Sequence, residues 1–307
     1  MLDETYSSLH ARERKPGLTD LDASGVVVSD GFDIPYYEVG PADAETTVVF
    51  VHGFALSAEC FHEQADFLRE HYPQVRSLLL DVRGHGLAGA AAKKDCTISG
   101  AADDVMTVLA ERAKHGRLII VGHSLGGMIT LNLVRRCPSS VFERIDGVVL
   151  IGAAIQPLSE KGMAQILKTS VADFAYNMCS RLPRRMASVR REVASFIAPA
   201  LSVLVAGFPR MESIEFHVAM ILDTPLESFV GYFDDLLHHS EIDAAPRLAQ
   251  LAGVVVLGSS DIITPRSQSE EILEYWPGAS LELIDGSGHM VILEKPEEIF
   301  AAIRRLL

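Results

Sequence analysis

The sequence predicts an α/β fold: a mainly parallel sheet covered by helices on both faces, with an inserted helical segment. Three observations carry this. Short β-branched, apolar runs alternate with amphipathic stretches along most of the chain, the rhythm of parallel strands joined by crossover helices. Several runs, such as TTVVFV at 46–51, are apolar throughout, as strands buried on both faces must be. The alternation stops between residues 155 and 225 and then resumes.

In chain order, the first 24 residues are polar and read as a loose N-terminal arm. Residues 25–28 and 34–39 are two short strands about a turn at Asp30-Gly31, and 46–51 is a buried strand. Residues 59–71 have helical spacing, with Phe61, Ala65 and Leu68 on one side. A strand at 75–80 precedes a helix at 97–114 that aligns Val105, Leu109 and Ala113. A strand at 118–121 leads into a helix at 125–137, stopped before Pro138, and then a strand at 148–151. Residues 155–225 show apolar helical patches and scattered prolines, with five of the nine methionines. A strand at 254–257, a helix at 267–275 and a strand at 281–284 follow. The last helix opens at Lys295-Pro296-Glu297-Glu298 and closes on Arg304-Arg305; proline first, acids early and bases late suit the helix dipole. The expected organisation is an arm at 1–24, a core at 25–154 and 226–307, and a cap at 155–225.

Composition bounds the function. A chain of 307 residues, 48% hydrophobic, can bury a large core. Its net charge of −14 argues against a nucleic-acid partner, which demands clustered lysine and arginine. No stretch reaches the roughly 18 apolar residues of a membrane span; the longest, 196–208, is interrupted by Pro199. The N-terminus lacks the apolar region of a secretory signal. Cys60, Cys96, Cys137 and Cys179 are widely spaced and read as reduced thiols of a cytoplasmic protein. A homo-oligomer is left open.

Four motifs carry chemistry. Gly122-His123-Ser124-Leu125-Gly126 stands between a predicted strand and a predicted helix, where a G-x-S-x-G turn lifts the serine hydroxyl clear of the sheet. His52-Gly53-Phe54 directly follows the strand at 46–51. An acyl-transfer site needs two backbone N–H groups aimed at the developing oxyanion, and Phe54 and Leu125 are placed to supply them. His289, in Gly286-Ser287-Gly288-His289-Met290, is the candidate base. Asp261, after the strand at 254–257, is the candidate acid that orients it; Asp285 lies too close in sequence to reach behind the imidazole. His238 and His239 read as solvated helix-end residues. Two decoys fail. Gly84–Gly89 fits G-x-G-x-x-G but does not run into a helix, and its candidate acids Asp103 and Asp104 fall inside a predicted helix. His62-Glu63 begins a zinc motif, but Asp66 stands where the second histidine belongs, so no metal is expected.

Together these motifs resemble the α/β-hydrolase family from about Gly25 to Leu307. Asp81-Val82-Arg83-Gly84-His85-Gly86 resembles the family's D-x-R-G-x-G loop, and Gly288-His289 followed by Glu294-Lys295-Pro296 adds to the likeness. The resemblance implies a cofactor-free serine hydrolase of a small apolar or acyl substrate, esterase- or lipase-like. Ser124, His289 and Asp261 would form its triad, with residues 155–225 as a variable cap. Serine rather than aspartate at 124 speaks against haloalkane dehalogenases and epoxide hydrolases, and His-Gly-Phe lacks the glycines of the H-G-G-G esterases. His52, Met163, Met178, Phe208, Met220 and Met290 are candidate pocket residues; methionine-rich apolar lining adapts to varied substrates. Eight bases against six acids in the cap suggest either a solvated face or attraction of an anionic substrate. Carbon–carbon hydrolysis of vinylogous diketones, perhydrolysis and a ligand receptor on the same fold are the alternatives.

Overall fold

The computed structural model describes residues 17–157 and 211–307. Eight strands form one sheet: β1 (Ala23–Ser29), β2 (Phe32–Val39), β3 (Thr46–Val51), β4 (Val75–Leu80), β5 (Arg117–His123), β6 (Ile145–Ile151), β7 (Ala252–Gly258) and β8 (Ala279–Ile284). Their order is β1-β2-β4-β3-β5-β6-β7-β8. Strand β2 is antiparallel to β1 and β4, and every other pairing is parallel.

The period-2 geometry of a strand sorts each apolar run onto two faces. In β3, Val49 and Val51 enter one core while Val48 and Phe50 enter the other; in β5, Leu118 and Ile120 oppose Ile119 and Val121. Helices α1 (His62–His71), α2 (Ile98–Arg112) and α3 (Leu125–Arg136) cover the sheet before residue 157. Thr97 caps α2 by accepting from Gly100 N at 3.0 Å. After residue 210 come α4 (Met211–Asp223), α5 (Leu226–Gly231), α6 (Phe233–His238), α7 (Arg266–Tyr275) and α8 (Pro296–Arg304). Helices α2 and α3 pack on one face of the sheet, and α1 and α8 on the other.

The structure departs from the expectations at several places. The chain is tied down before residue 24: Leu18 is buried, and the Asp22 carboxylate accepts from Gly40 N at 2.7 Å. Residues 1–16 lie outside the described residues. The expected helix at 59–71 begins as a 3-10 turn, Ala58–Phe61, and becomes α-helical at His62. His239 is buried rather than solvated, its Nε2 3.4 Å from Ala154 O, whereas His238 is exposed. Asp104, one of the decoy acids, has a structural role. It grips Arg83 through two bonds of 2.6 Å, and both are buried, so each charge is the other's compensation. Cys60, Cys96 and Cys137 are buried free thiols, and burial pushes Cys96 up to about 12. Cys179 lies outside the described residues. Among those residues no helix is long and apolar enough to cross a membrane.

Candidate active site

The parallel strands bring their carboxyl ends to one edge of the sheet, and His52 to Phe54, Ser124, Asp261 and His289 each follow such an end. Ser124 follows β5 and adopts φ 52°, ψ −118°, a left-handed conformation that costs a non-glycine residue on the order of 1–3 kcal/mol. Three bonds hold it there. Ser124 N donates to Ile151 O of β6 at 2.8 Å, and Ser124 O accepts from Gly127 N and Met128 N at 2.9 and 3.2 Å. The turn also needs Gly126: any Cβ there would collide with the carbonyls of Val51 and His52.

The loop after β3 lies against this turn. A Cβ built on Gly53 would stand 3.1 Å from Ser124 Cβ. The Phe54 ring is wedged among Phe229, Phe233 and His85, with centroids at 4.7, 5.8 and 5.8 Å, which fixes the peptide that carries its N–H. The N–H groups of Phe54 and Leu125 make no hydrogen bond among the described residues, and Leu125, first in α3, has no intrahelical partner. His52 is fully enclosed. Its Nδ1 donates to Gly53 O at 2.8 Å and its Nε2 accepts from Val82 N at 2.9 Å, so the ring cross-links two loops and presents no free polar atom to a ligand.

His289 and Asp261 meet across β7 and β8. His289 Nδ1 lies 2.8 Å from Asp261 Oδ2, with both side chains buried. Asp261 also accepts from Thr264 Oγ1 at 2.7 Å and from the Ile263 and Thr264 N–H groups at 2.8 and 2.9 Å. Burial alone would raise this carboxyl. The His289 imidazole and these donors outweigh it and hold Asp261 below the ordinary carboxylate range. A carboxylate can only accept, so Nδ1 of His289 carries the proton and Nε2 is left as the ring's acceptor. Asp285 instead points away, accepting from Ser259 Oγ at 3.3 Å on the exposed side of the turn.

Sequence reasoning gave no role to four neighbours of this pair. Gly152, after β6 at φ 53°, makes room for the pair: a Cβ there would stand 3.2 Å from His289 Nδ1 and 3.4 Å from Asp261 Oδ2. Thr264 carries the D-x-x-T spacing of a side chain folding back on its own turn, a signal too common to single out. Glu294 accepts from Gly288 N at 2.9 Å and fastens the histidine loop. His217, on α4, is buried and lies within electrostatic reach of His289 and His123. Of the methionines, Met220 and Met290 share an apolar cluster with Phe216. Met163, Met178 and Phe208 lie outside the described residues.

Four imidazoles around this edge are held neutral, in each case mainly by burial: His52 and His217 at about 4, His85 and His123 at about 3. The like charge of His289 adds to the effect at His123 and His217, and that of His52 at His85. Each folded value lies below the ~6.5 of an unfolded chain, so the unfolded state binds more protons and stability falls with pH from about 6.5 toward 4. At pH 5 each ring is expected to cost about 2 kcal/mol relative to neutral pH. Urea unfolding should show a loss of several kcal/mol between pH 7 and pH 5; an unchanged midpoint would contradict enclosure of these rings in neutral form.

A mostly parallel sheet carries a strained serine turn and an acid–imidazole pair at the carboxyl ends of its strands, the edge where open α/β sheets bind ligands. Residues 48–302 match the Alpha/beta hydrolase family, and the chain belongs to that family. A pimeloyl-[acyl-carrier protein] methyl ester esterase of Sodalis glossinidius is 26% identical over 232 residues, 69% of this chain and 85% of that protein. An esterase from Exiguobacterium antarcticum superposes with a TM-score of 0.75 at 18% identity, covering 92% of this chain and 98% of its own. The esterase RhEst1 from Rhodococcus sp. ECU1013 gives 0.71 at 23% identity, covering 92% and 97%. At these identities the two structural likenesses speak to the fold.

Proposed function

We propose that this chain is a serine hydrolase that cleaves a carboxylic ester or related acyl compound through an acyl-enzyme. The observation that carries the reading is the strained Ser124 turn at the head of α3, gathered at one sheet edge with the buried Asp261–His289 pair. Ser124 Oγ attacks the acyl carbon while His289 Nε2 takes its proton. The N–H groups of Phe54 and Leu125 donate to the oxyanion that forms. The intermediate collapses, the ester C–O bond breaks, and His289 returns the proton to the departing alcohol. Water, activated by the same imidazole, then attacks the acyl-enzyme and frees the acid. Asp261 stays ionised throughout and stabilises the imidazolium. The esterase name of the Sodalis relative supports an ester as substrate.

Residues 155–225 act, on this reading, as a cover that sets selectivity. Their described part brings Phe216 and Met220 to the cluster that holds Met290, beside the candidate base. A panel of p-nitrophenyl esters from acetate to laurate, with a vinylogous diketone beside it, tests the function. Steady release of p-nitrophenolate that depends on acyl length is the expected result. Turnover of the diketone alone, activity only with added peroxide, or ligand binding without product release would each overturn it.

A further inference from the structure

The sheet does not by itself set the distance between nucleophile and base. Ser124 follows β5 and His289 follows β8, with β6 and β7 between them. Three strand spacings separate the two ends, about 14 Å at the usual ~4.8 Å each, so the histidine loop must reach back over two strands. The bonds from Gly288 N to Glu294 and from Ser260 N to Ser287 O fasten that loop to its own side of the sheet. Among the described residues, one hydrogen bond joins His289 to the nucleophile's strand: His123 Nε2 donates to His289 O at 3.0 Å. His123 is the last residue of β5 and immediately precedes Ser124.

The ring is built into this place. It is 1% exposed, with its centroid 5.0 Å from that of His289. Because a carbonyl can only accept, Nε2 bears the proton and Nδ1 is a bare acceptor. Nδ1 is buried without a hydrogen-bond partner and faces Gly53, where a Cβ would come within 2.7 Å. Protonating it would bury an unpaired cation, so the ring stays neutral and adds no repulsion to the imidazolium that His289 becomes.

We propose that His123 is a positioning residue, whose single N–H, donated to the His289 carbonyl, fixes how closely the base approaches Ser124. This inference rests on the nucleophile reading above. The two are separated by comparing wild type with His123→Gln, which keeps a donor of similar reach, and His123→Leu, which fills the site without one. Each is assayed for kcat and KM on p-nitrophenyl acetate, for the rate of fluorophosphonate labelling at Ser124, and for Tm. His123→Leu is expected to lose about 10²-fold in kcat and in labelling rate with KM nearly unchanged, the penalty of an ångström-scale misplacement. His123→Gln is expected to recover most of both. If the leucine variant does not fold, His123→Asn, whose amide falls short of the carbonyl, should show the same loss. Near wild-type kcat in the leucine or asparagine variant, or a glutamine variant as impaired as they are, would overturn the proposal while Ser124 still labels. A wild-type protein that does not label at Ser124 would overturn the nucleophile reading and this inference together.

Discussion

Replacing Ser124 by alanine is expected to lower kcat for ester hydrolysis by about 10⁶-fold, the loss found when a triad nucleophile is removed. The reason lies in what the turn is built to do. The chain holds a serine at φ 52°, an arrangement glycine would adopt without strain, and anchors it by bonds to β6 and to the first turn of α3. Alanine fits the same backbone, so the variant should fold and unfold as wild type does while losing the oxygen proposed to attack. Binding should survive, leaving KM for short esters little changed and any residual rate to the oxyanion donors alone. Steady-state kinetics with a matched thermal melt checks this. A folded alanine variant with substantial turnover would mean that another group carries the chemistry.

Asp261→Asn is expected to cost roughly 10⁴-fold in kcat, on the precedent of the analogous substitution in serine proteases. Asparagine keeps the size of the side chain, and its carbonyl oxygen can still accept from the Ile263 and Thr264 N–H groups that now bond Oδ1. The atom that faces His289 is then an amide nitrogen, which donates. It favours the imidazole tautomer protonated on Nε2, and that tautomer cannot take a proton from serine. The negative charge that stabilises the imidazolium is lost as well. Asp285→Asn should leave kcat close to wild type, because Asp285 is exposed and bonds only Ser259 among the described residues. The comparison is sharp: an inactive Asp285 variant beside an active Asp261 variant would exchange the two roles.

Much of this was legible in the sequence, for physical reasons that also mark the limits. Strands β3 and β4 fall at their expected bounds because each closes on an unbroken apolar run, VVFV and LLL, that ends at a polar turn. Strand β6 begins at Ile145 rather than 148, since Ile145 and Gly147 both pair with β5 across a register shift that passes over Asp146, and neither Asp146 nor Gly147 carries a hydrophobic signal. The placement of Ser124, Asp261 and His289 after strand ends was readable because a strand-to-helix glycine turn and the loops after parallel strands are written locally. The contacts of Gly152 and His123 with the histidine loop were not, because they exist only once strands distant in sequence are neighbours, and those of Thr264 and Glu294 were not, because a short-range side-chain bond to a turn leaves no distinctive spacing. His52 shows the converse: beside the motif, it looked like a pocket residue, yet both its nitrogens serve the backbone.

The central claim, that Ser124 is the nucleophile, is tested most directly by treating the folded protein with a fluorophosphonate probe and mapping the adduct by peptide mass spectrometry. A stoichiometric adduct on Ser124, absent from the Ser124→Ala variant, is the result this account requires. An adduct on a different residue, or equal labelling of the alanine variant, would contradict it.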